Sequence, residues 1–143
     1  MLSEIQILIL QPVVALVLWT LIIMLWFVAT RLPAMAKAGV TPDDAAHAKN
    51  LSGLLPSKVM RVSDNYNHLH EQPTLFYAVV IAIALIGNAD MMQVNLAWAY
   101  VGFRVLHSLV QCTYNKVMHR FFLFLLGSLA LVAITLIEVS HWL

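Results

Sequence analysis

An apolar run from Ile5 to Thr30 contains no charged side chain, and few folds can accommodate such a segment. The hydrocarbon core of a bilayer is about 30 Å thick, and a helix needs roughly 20 apolar residues to cross it. In the whole chain 62% of the residues are hydrophobic and 10% are charged, whereas soluble domains average about 45–50% and about 25%. The sequence therefore predicts an integral membrane protein and excludes a soluble enzyme, a disordered chain and a nucleic-acid binder.

Turn sequences divide the rest of the chain into further helices. Gly87-Asn88-Ala89-Asp90 is typical of a turn, and the connection around 112–116 is equally short, so neighbouring helices should be antiparallel. The predicted helices span about 5–30, 56–86, 91–111 and 118–142. We therefore predict an all-α fold, an integral membrane antiparallel four-helix bundle that forms a single domain over residues 1–143.

Two local features modify this bundle. The long connection, about residues 31–55, is predicted to be a loop with a short helix that Thr41 can cap. Pro73 lies within the second helix and should bend it, because proline lacks a backbone N–H. The bend has two interpretations: it widens a cavity near Glu71, or Pro73 is an ordinary proline of a membrane helix.

The basic residues indicate the orientation of the bundle. All of them lie around the first and third connections: Arg31, Lys37, Lys49, Lys58, Arg61, Arg104, Lys116 and Arg120. By the positive-inside rule, loops 31–60 and 112–117 face the cytoplasm and both termini face the opposite compartment. The sequence thus predicts a multi-pass protein of a bacterial inner membrane or the endoplasmic reticulum.

Polar side chains recur within the apolar helices at the spacing of one helix face. They lie toward the predicted cytoplasmic ends, and ionisable groups at such positions usually face a bundle interior or a water-filled cavity. The candidate binding residues are Arg31, Asn67, His68, Glu71, Arg104, His107, Gln111 and Arg120. We predict a polar ligand site with an excess of hydrogen-bond donors on the cytoplasmic side.

Other interpretations of these residues remain open. Glu71 with Arg104 or Arg120 would form a structural ion pair that holds the helices together. His68 and His107 would be able to ligate a haem across the bundle, but the chain has no Cys-His or His-x-x-His clustering and Arg and Glu crowd the same faces, so no metal site is predicted. A channel would need a polar stripe across the full membrane depth, which the sequence lacks.

Three stretches follow one another in a recognisable order. The first is Arg31-Leu32-Pro33 with Thr41-Pro42-Asp43-Asp44; the second is Arg61 to Tyr77, which contains Asn67-x-x-x-Glu71 and Pro73-x-x-Phe76; the third is Arg104-x-x-His107 running on to Arg120. In this order, and over essentially the whole chain, the sequence resembles the MAPEG family, the membrane-associated proteins in eicosanoid and glutathione metabolism.

The resemblance implies a homotrimer in which glutathione binds between neighbouring subunits. By position, Glu71 would hold the glutathione amino group, Arg31, Arg104 and His107 would contact its carboxylates or backbone, and Arg120 would lie nearest the sulfur. Two positions depart from the family's pattern. His68, beside Asn67, stands where an Asn is common, and Gln111 stands where many members have a tyrosine.

The function that the resemblance implies is activation of the glutathione thiol, for conjugation to apolar electrophiles or reduction of lipid hydroperoxides. Glutathione carries two carboxylates and one ammonium group, which an Arg-rich site with one key Glu complements. Its thiol, with an ordinary pKa of about 8.5, needs a cation such as Arg120 to favour the thiolate. The alternative is a non-enzymatic MAPEG-like protein that binds a lipid or thiol, or an accessory subunit of a membrane complex.

Overall fold

The structure, a computed structural model, describes residues 2–41, 43–44, 51 and 53–143. Within these ranges it is helical and contains no strand. The helices are α1 (Glu4–Ala38), α2 (Ser57–His68), α3 (Gln72–Ile86), α4 (Met91–Cys112) and α5 (Val117–Ser140). Because α2 and α3 together occupy the second predicted helix, the chain folds as four helical rods, and the predicted turn at 87–90 is present between α3 and α4.

The first helix is longer than predicted. It starts in a capping box between Ser3 and Gln6 and ends at Gly39, whose φ of 65° is left-handed. It therefore continues past the predicted end at Thr30 and through Pro33, a residue that membrane helices tolerate better than soluble ones. Arg31 lies along the helix, where its guanidinium is 5.2 Å from the ring centroid of Phe27.

The first connection is described only in part. The backbone N–H and hydroxyl of Thr41 donate to the Asp44 carboxylate at 2.9 and 2.6 Å, and the Asp44 N–H donates back to the Thr41 hydroxyl at 3.3 Å. The Thr41 hydroxyl, with the backbone N–H, lowers the pKa of Asp44 because both hydrogen bonds favour the carboxylate. This is the capping geometry expected of Thr41, whereas Pro42 and Lys49 lie outside the described residues.

The second rod is interrupted where one continuous helix was predicted. α2 ends at His68 and α3 begins at Gln72, which places Pro73 in the first turn of α3. Inside a helix the Pro73 ring would clash with the carbonyl of Leu69, whereas the first turn needs no such hydrogen bond. The proline thus produces a break at 69–71 rather than a bend, and Glu71 (φ −91°, ψ −99°) lies outside both helices.

The apolar core lies between α1, α3, α4 and α5. α4 packs along α5 and also contacts α1. The stacked rings of Phe76 and Tyr100, with centroids 4.4 Å apart, occupy the centre. The buried apolar residues of this core are Ile9, Leu16, Phe76, Val80, Ile83, Ala84, Val94, Ala97, Tyr100, Val101, Ala130, Leu131 and Ile134.

Three of the four rods are long and apolar enough to cross a membrane: Glu4–Ala38, Ser57–Ile86 and Val117–Ser140. α4 is less apolar, although the sequence predicted four membrane helices. Its polar residues are Gln93 and Asn95 in the first half and Arg104, His107, Ser108 and Gln111 in the second, all of them buried except Asn95. The lower hydropathy of α4 therefore comes mainly from side chains that are buried in the bundle.

At the end of the bundle that contains the 87–90 turn, Glu138 links three segments. Its side chain is 6% exposed, and Oε1 accepts hydrogen bonds from Asn88 Nδ2 at 3.3 Å and Trp142 Nε1 at 3.0 Å. We expect Glu138→Ala to destabilise the bundle by about 1–2 kcal/mol, because both donors lose their acceptor. Glu138→Gln keeps an oxygen there and should cost less. Thermal unfolding in detergent measures the difference, and equal midpoints for wild type and Glu138→Ala would contradict the prediction.

Candidate functional site

Polar side chains converge where the end of α2, the second half of α4 and the start of α5 meet. A cavity of about 270 Å³ lies here. Its lining combines imidazole, guanidinium and aromatic groups: His68, His107, Val117, Arg120, Phe121 and Phe124. Three of the predicted site residues therefore lie around one cavity.

The two imidazoles of the cavity face each other. Their ring centroids are 5.1 Å apart. His68 is 23% exposed, and its Nδ1 lies 2.7 Å from Oε2 of Glu71, whose side chain is 66% exposed. His107 is 3% exposed, and its Nδ1 lies 3.0 Å from the backbone carbonyl oxygen of Arg120. The break at 69–71 lets Glu71 turn back toward His68.

Arg104 is buried against the cavity's aromatic wall. Its side chain is 1% exposed, and its guanidinium carbon lies 5.3 Å from the centroid of Phe124 and 5.5 Å from that of Tyr100, within cation–π range. Nε donates to the Tyr100 hydroxyl at 3.1 Å. Nη1 and Nη2 have no hydrogen-bond partner within the described part of the chain. A buried guanidinium thus presents two donors that this chain does not use.

The Tyr100 hydroxyl belongs to a short polar chain that the sequence interpretation missed. It donates to Gln72 Oε1 at 3.4 Å, and Gln72 Nε2 donates to Ser128 Oγ at 2.8 Å. Tyr100 lies within an apolar stretch and looks like a packing residue in the sequence, whereas Gln72 lies between Glu71 and Pro73. Tyr100 lies four residues before Arg104, and this spacing places both side chains on one helix face. That spacing was the signal in the sequence for a contact between them.

Arg120 is positioned by the turn between α4 and α5. Its Nη1 donates to Asn115 Oδ1 at 2.8 Å, and its buried Nε has no partner among the described residues. Asn115 adopts a φ of 52°, which Asn tolerates better than most residues, and its N–H donates to the Val110 carbonyl at 2.8 Å. This turn directs the Arg120 side chain to the cavity.

The Arg–Glu ion pair considered from the sequence is not formed. Within the described ranges, the acid–base contacts are His68–Glu71 and His141–Glu138. Glu71 contacts His68 of the same interrupted rod, so Arg104 and Arg120 have no carboxylate partner among the described residues. A structural clamp between helices therefore does not account for the charges at this site.

Five of the eight candidate residues do not line the cavity; besides Glu71 and Arg104, described above, they are Arg31, Asn67 and Gln111. Arg31 donates from Nη1 to the Ser63 hydroxyl at 3.0 Å, and Asn67 is exposed on the surface of α2. Gln111 is 3% exposed, and its Oε1 has no partner among the described residues. Within one subunit, these three do not contribute to the cavity wall.

Comparison with known protein families identifies the family to which this bundle belongs. The model of the MAPEG family matches residues 9–139. The chain belongs to the MAPEG family. The match includes every residue of the cavity, and membership supports a membrane protein of glutathione or eicosanoid metabolism. Comparison with curated proteins and with solved structures finds no significant match.

For a MAPEG protein, the polar groups at this cavity are suited to an anionic ligand. Arg120 lines it as a partly buried cation together with the two imidazoles, and Arg104, outside the lining, packs behind Phe124 with Nη1 and Nη2 unpartnered among the described residues. A carboxylate bound to a planar guanidinium makes two parallel, charge-assisted hydrogen bonds. In a water-poor site such bonds are stronger than in bulk solvent.

Proposed function

We propose that this MAPEG protein is a membrane-embedded glutathione-dependent enzyme that activates the glutathione thiol. The thiolate is conjugated to apolar electrophiles or reduces lipid hydroperoxides. The observation that carries the proposal is the buried Arg104 guanidinium, which has two nitrogens without a partner among the described residues and packs against Phe124, a wall of the cavity that Arg120 lines. A buried cation without a counter-ion is costly, and an anionic ligand would relieve that cost.

Charge complementarity assigns the ends of glutathione. Arg104 binds one carboxylate in the bidentate mode that its two free nitrogens permit. Glu71 is exposed enough to receive the ammonium group while it remains next to His68. Arg120 lies nearest the sulfur and stabilises the thiolate, while His107 lines the cavity between them. The nucleophile thus belongs to glutathione and not to Cys112, which is buried.

The proposed assembly is a homotrimer with its sites between subunits. Arg31 and Asn67 do not line the cavity of one chain, which is consistent with ligand contacts made across an interface, whereas Gln111 is buried within its own chain. Large apolar side chains cover the outside of α1 and α5, and they are suited to lipid or to a neighbouring subunit. The single domain of four membrane helices, with a cytoplasmic site and both termini on the opposite side, is part of the same proposal.

A non-enzymatic, ligand-holding role is the second candidate. Gln111 favours it, because this buried position carries an amide and not the phenol that many members have there. The amide cannot lose a proton, although it can hydrogen-bond a ligand. Binding of glutathione without formation of a thiolate would distinguish this role from catalysis.

Calorimetric titration of the detergent-purified protein with glutathione tests the proposal. We expect binding below millimolar concentration, and Glu71→Gln should weaken it about ten- to a hundredfold, because a charge-assisted contact to the ammonium group is lost. Asp64→Asn is the matched control, since it removes an exposed carboxylate from α2 that, unlike Glu71, forms no ion pair with the cavity residue His68. No binding of glutathione, or equal affinity for wild type and Glu71→Gln, would refute the site.

A further inference from the structure

The hydrogen bond of His107 determines which ring nitrogen keeps a free lone pair. Its Nδ1 lies 3.0 Å from the Arg120 carbonyl oxygen. A carbonyl oxygen only accepts, so Nδ1 carries the hydrogen, and in the neutral ring Nε2 has a lone pair. This Nε2 is buried, has no partner within the described ranges, and belongs to a ring that lines the cavity. His107 therefore offers a hydrogen-bond acceptor in a site otherwise rich in donors.

The charged groups around His107 favour the neutral ring before the ligand binds. From its own helix, Arg104 stacks on Phe124, and from α5 Arg120 lines the same cavity. From α2, His68 faces it at 5.1 Å and is in contact with the Glu71 carboxylate. The two guanidinium groups disfavour a third positive charge on the His107 ring, whereas the negative charge of a thiolate in the cavity would favour it.

We infer that His107 Nε2 accepts the thiol proton of bound glutathione; this rests on the proposed function and makes His107 a catalytic residue beside Arg120. The S–H bond breaks, the electron pair stays on sulfur, and a new N–H bond forms at Nε2. The products are a thiolate next to Arg120 and an imidazolium held by the Arg120 carbonyl. After the thiolate attacks an electrophile, the imidazolium returns the proton to the leaving group or to the carbanion formed by addition.

The destination of the proton is measurable. The ultraviolet absorbance of the thiolate counts the thiolates that form when glutathione binds. Calorimetry in buffers of different ionisation enthalpy counts the protons that reach the solvent. Transfer to His107 predicts thiolate absorbance with well under one proton released per thiolate, whereas stabilisation by arginine alone predicts about one. Full release in the wild-type protein would overturn the inference.

Two substitutions separate the role of Nε2 from that of Nδ1. His107→Asn places an amide N–H close to the position of Nδ1 and keeps a donor to the Arg120 carbonyl, but it has no counterpart of Nε2. We expect it to bind glutathione within a few-fold of wild type, to release about one proton for each thiolate it still forms, and to lower kcat about 10²- to 10⁴-fold. Its kcat should also lose the pH dependence of the base. His107→Gln, which has no base either, should lose the same activity.

His68→Asn is the control for the neighbouring imidazole. If His107 is the acceptor, proton retention persists in His68→Asn even where affinity falls. Retention that disappears in His68→Asn but not in His107→Asn would overturn the assignment to His107. Absence of any thiolate in the wild-type protein would refute the proposed function together with the inference, whereas thiolate formation with full proton release would refute the inference alone.

Discussion

Arg120→Ala should lower kcat/KM for glutathione conjugation by about 10²- to 10³-fold, the usual effect of removing one group that stabilises a developing anion. Arg120 lines the cavity, and Asn115 fixes its orientation through a 2.8 Å hydrogen bond. Without this cation the thiol keeps a pKa near its ordinary value and stays protonated at neutral pH. The ultraviolet thiolate absorbance of the glutathione complex should therefore be lost together with turnover.

Two further variants show whether charge or position matters at Arg120. Arg120→Lys keeps a cation but cannot reproduce the planar fork of the guanidinium, so we expect partial activity. Asn115→Gly removes the amide that holds Arg120 while tolerating the φ of 52°, and it should give an intermediate loss with the bundle intact. A thiolate signal in Arg120→Ala equal to that of wild type would contradict the assigned role.

The convergence of four polar side chains was predictable because it depends on periodicity, and their role as a site stays a prediction. His68, Arg104, His107 and Arg120 come together at one end of the bundle, as the helical spacing and the short connections indicated. Both quantities are local: a spacing of three or four residues selects a face, and a short loop makes neighbours antiparallel. Sequence therefore identified four side chains that meet without knowledge of their rotamers, although Arg31, Asn67 and Gln111, predicted with them, do not line the cavity.

The pairing of the charges was not predictable in the same way. The sequence left open a pair between Glu71 and an arginine, yet Glu71 contacts His68 at 2.7 Å. This choice depends on the break at 69–71, and the position of a break relative to Pro73 follows from backbone geometry around the ring rather than from a residue pattern. Two predicted bounds were wrong for the same reason: the second helix was predicted to be continuous over 56–86, and the first helix was predicted to end at Thr30.

Whether the arginines have partners could not be read from the sequence either. The number of donors on Arg104 is known from its chemistry, but the use of Nε by Tyr100 and the free Nη1 and Nη2 depend on tertiary packing. Tyr100 lies in an apolar segment and Gln72 lies between Glu71 and Pro73, and neither position has a distinctive pattern. Burial without partners, the property that points to a ligand, is visible only in three dimensions.

Arg104→Met should raise the thermal midpoint of the ligand-free protein and abolish its stabilisation by glutathione. The guanidinium is 1% exposed with two free nitrogens, and replacing buried charges by apolar groups of similar volume is often neutral or stabilising by about 1–4 kcal/mol. Met has a similar length and adapts to irregular space. The Tyr100 hydroxyl keeps Gln72 as a partner, so the substitution leaves no new unsatisfied group there.

The stabilisation of the folded protein by glutathione has an expected size. At a hundred times its dissociation constant, a ligand that binds only the folded state stabilises it by about 2.7 kcal/mol. In detergent, glutathione should therefore raise the thermal midpoint of the wild-type protein and leave that of Arg104→Met unchanged. Arg61→Met is the matched control. Arg61 donates to the Thr113 carbonyl at 3.0 Å, so its loss should lower stability and leave the glutathione shift unchanged. A buried cation that serves to bind an anion is expected to lower the stability of the ligand-free protein. A lower thermal midpoint of ligand-free Arg104→Met would therefore mean that Arg104 stabilises the fold instead.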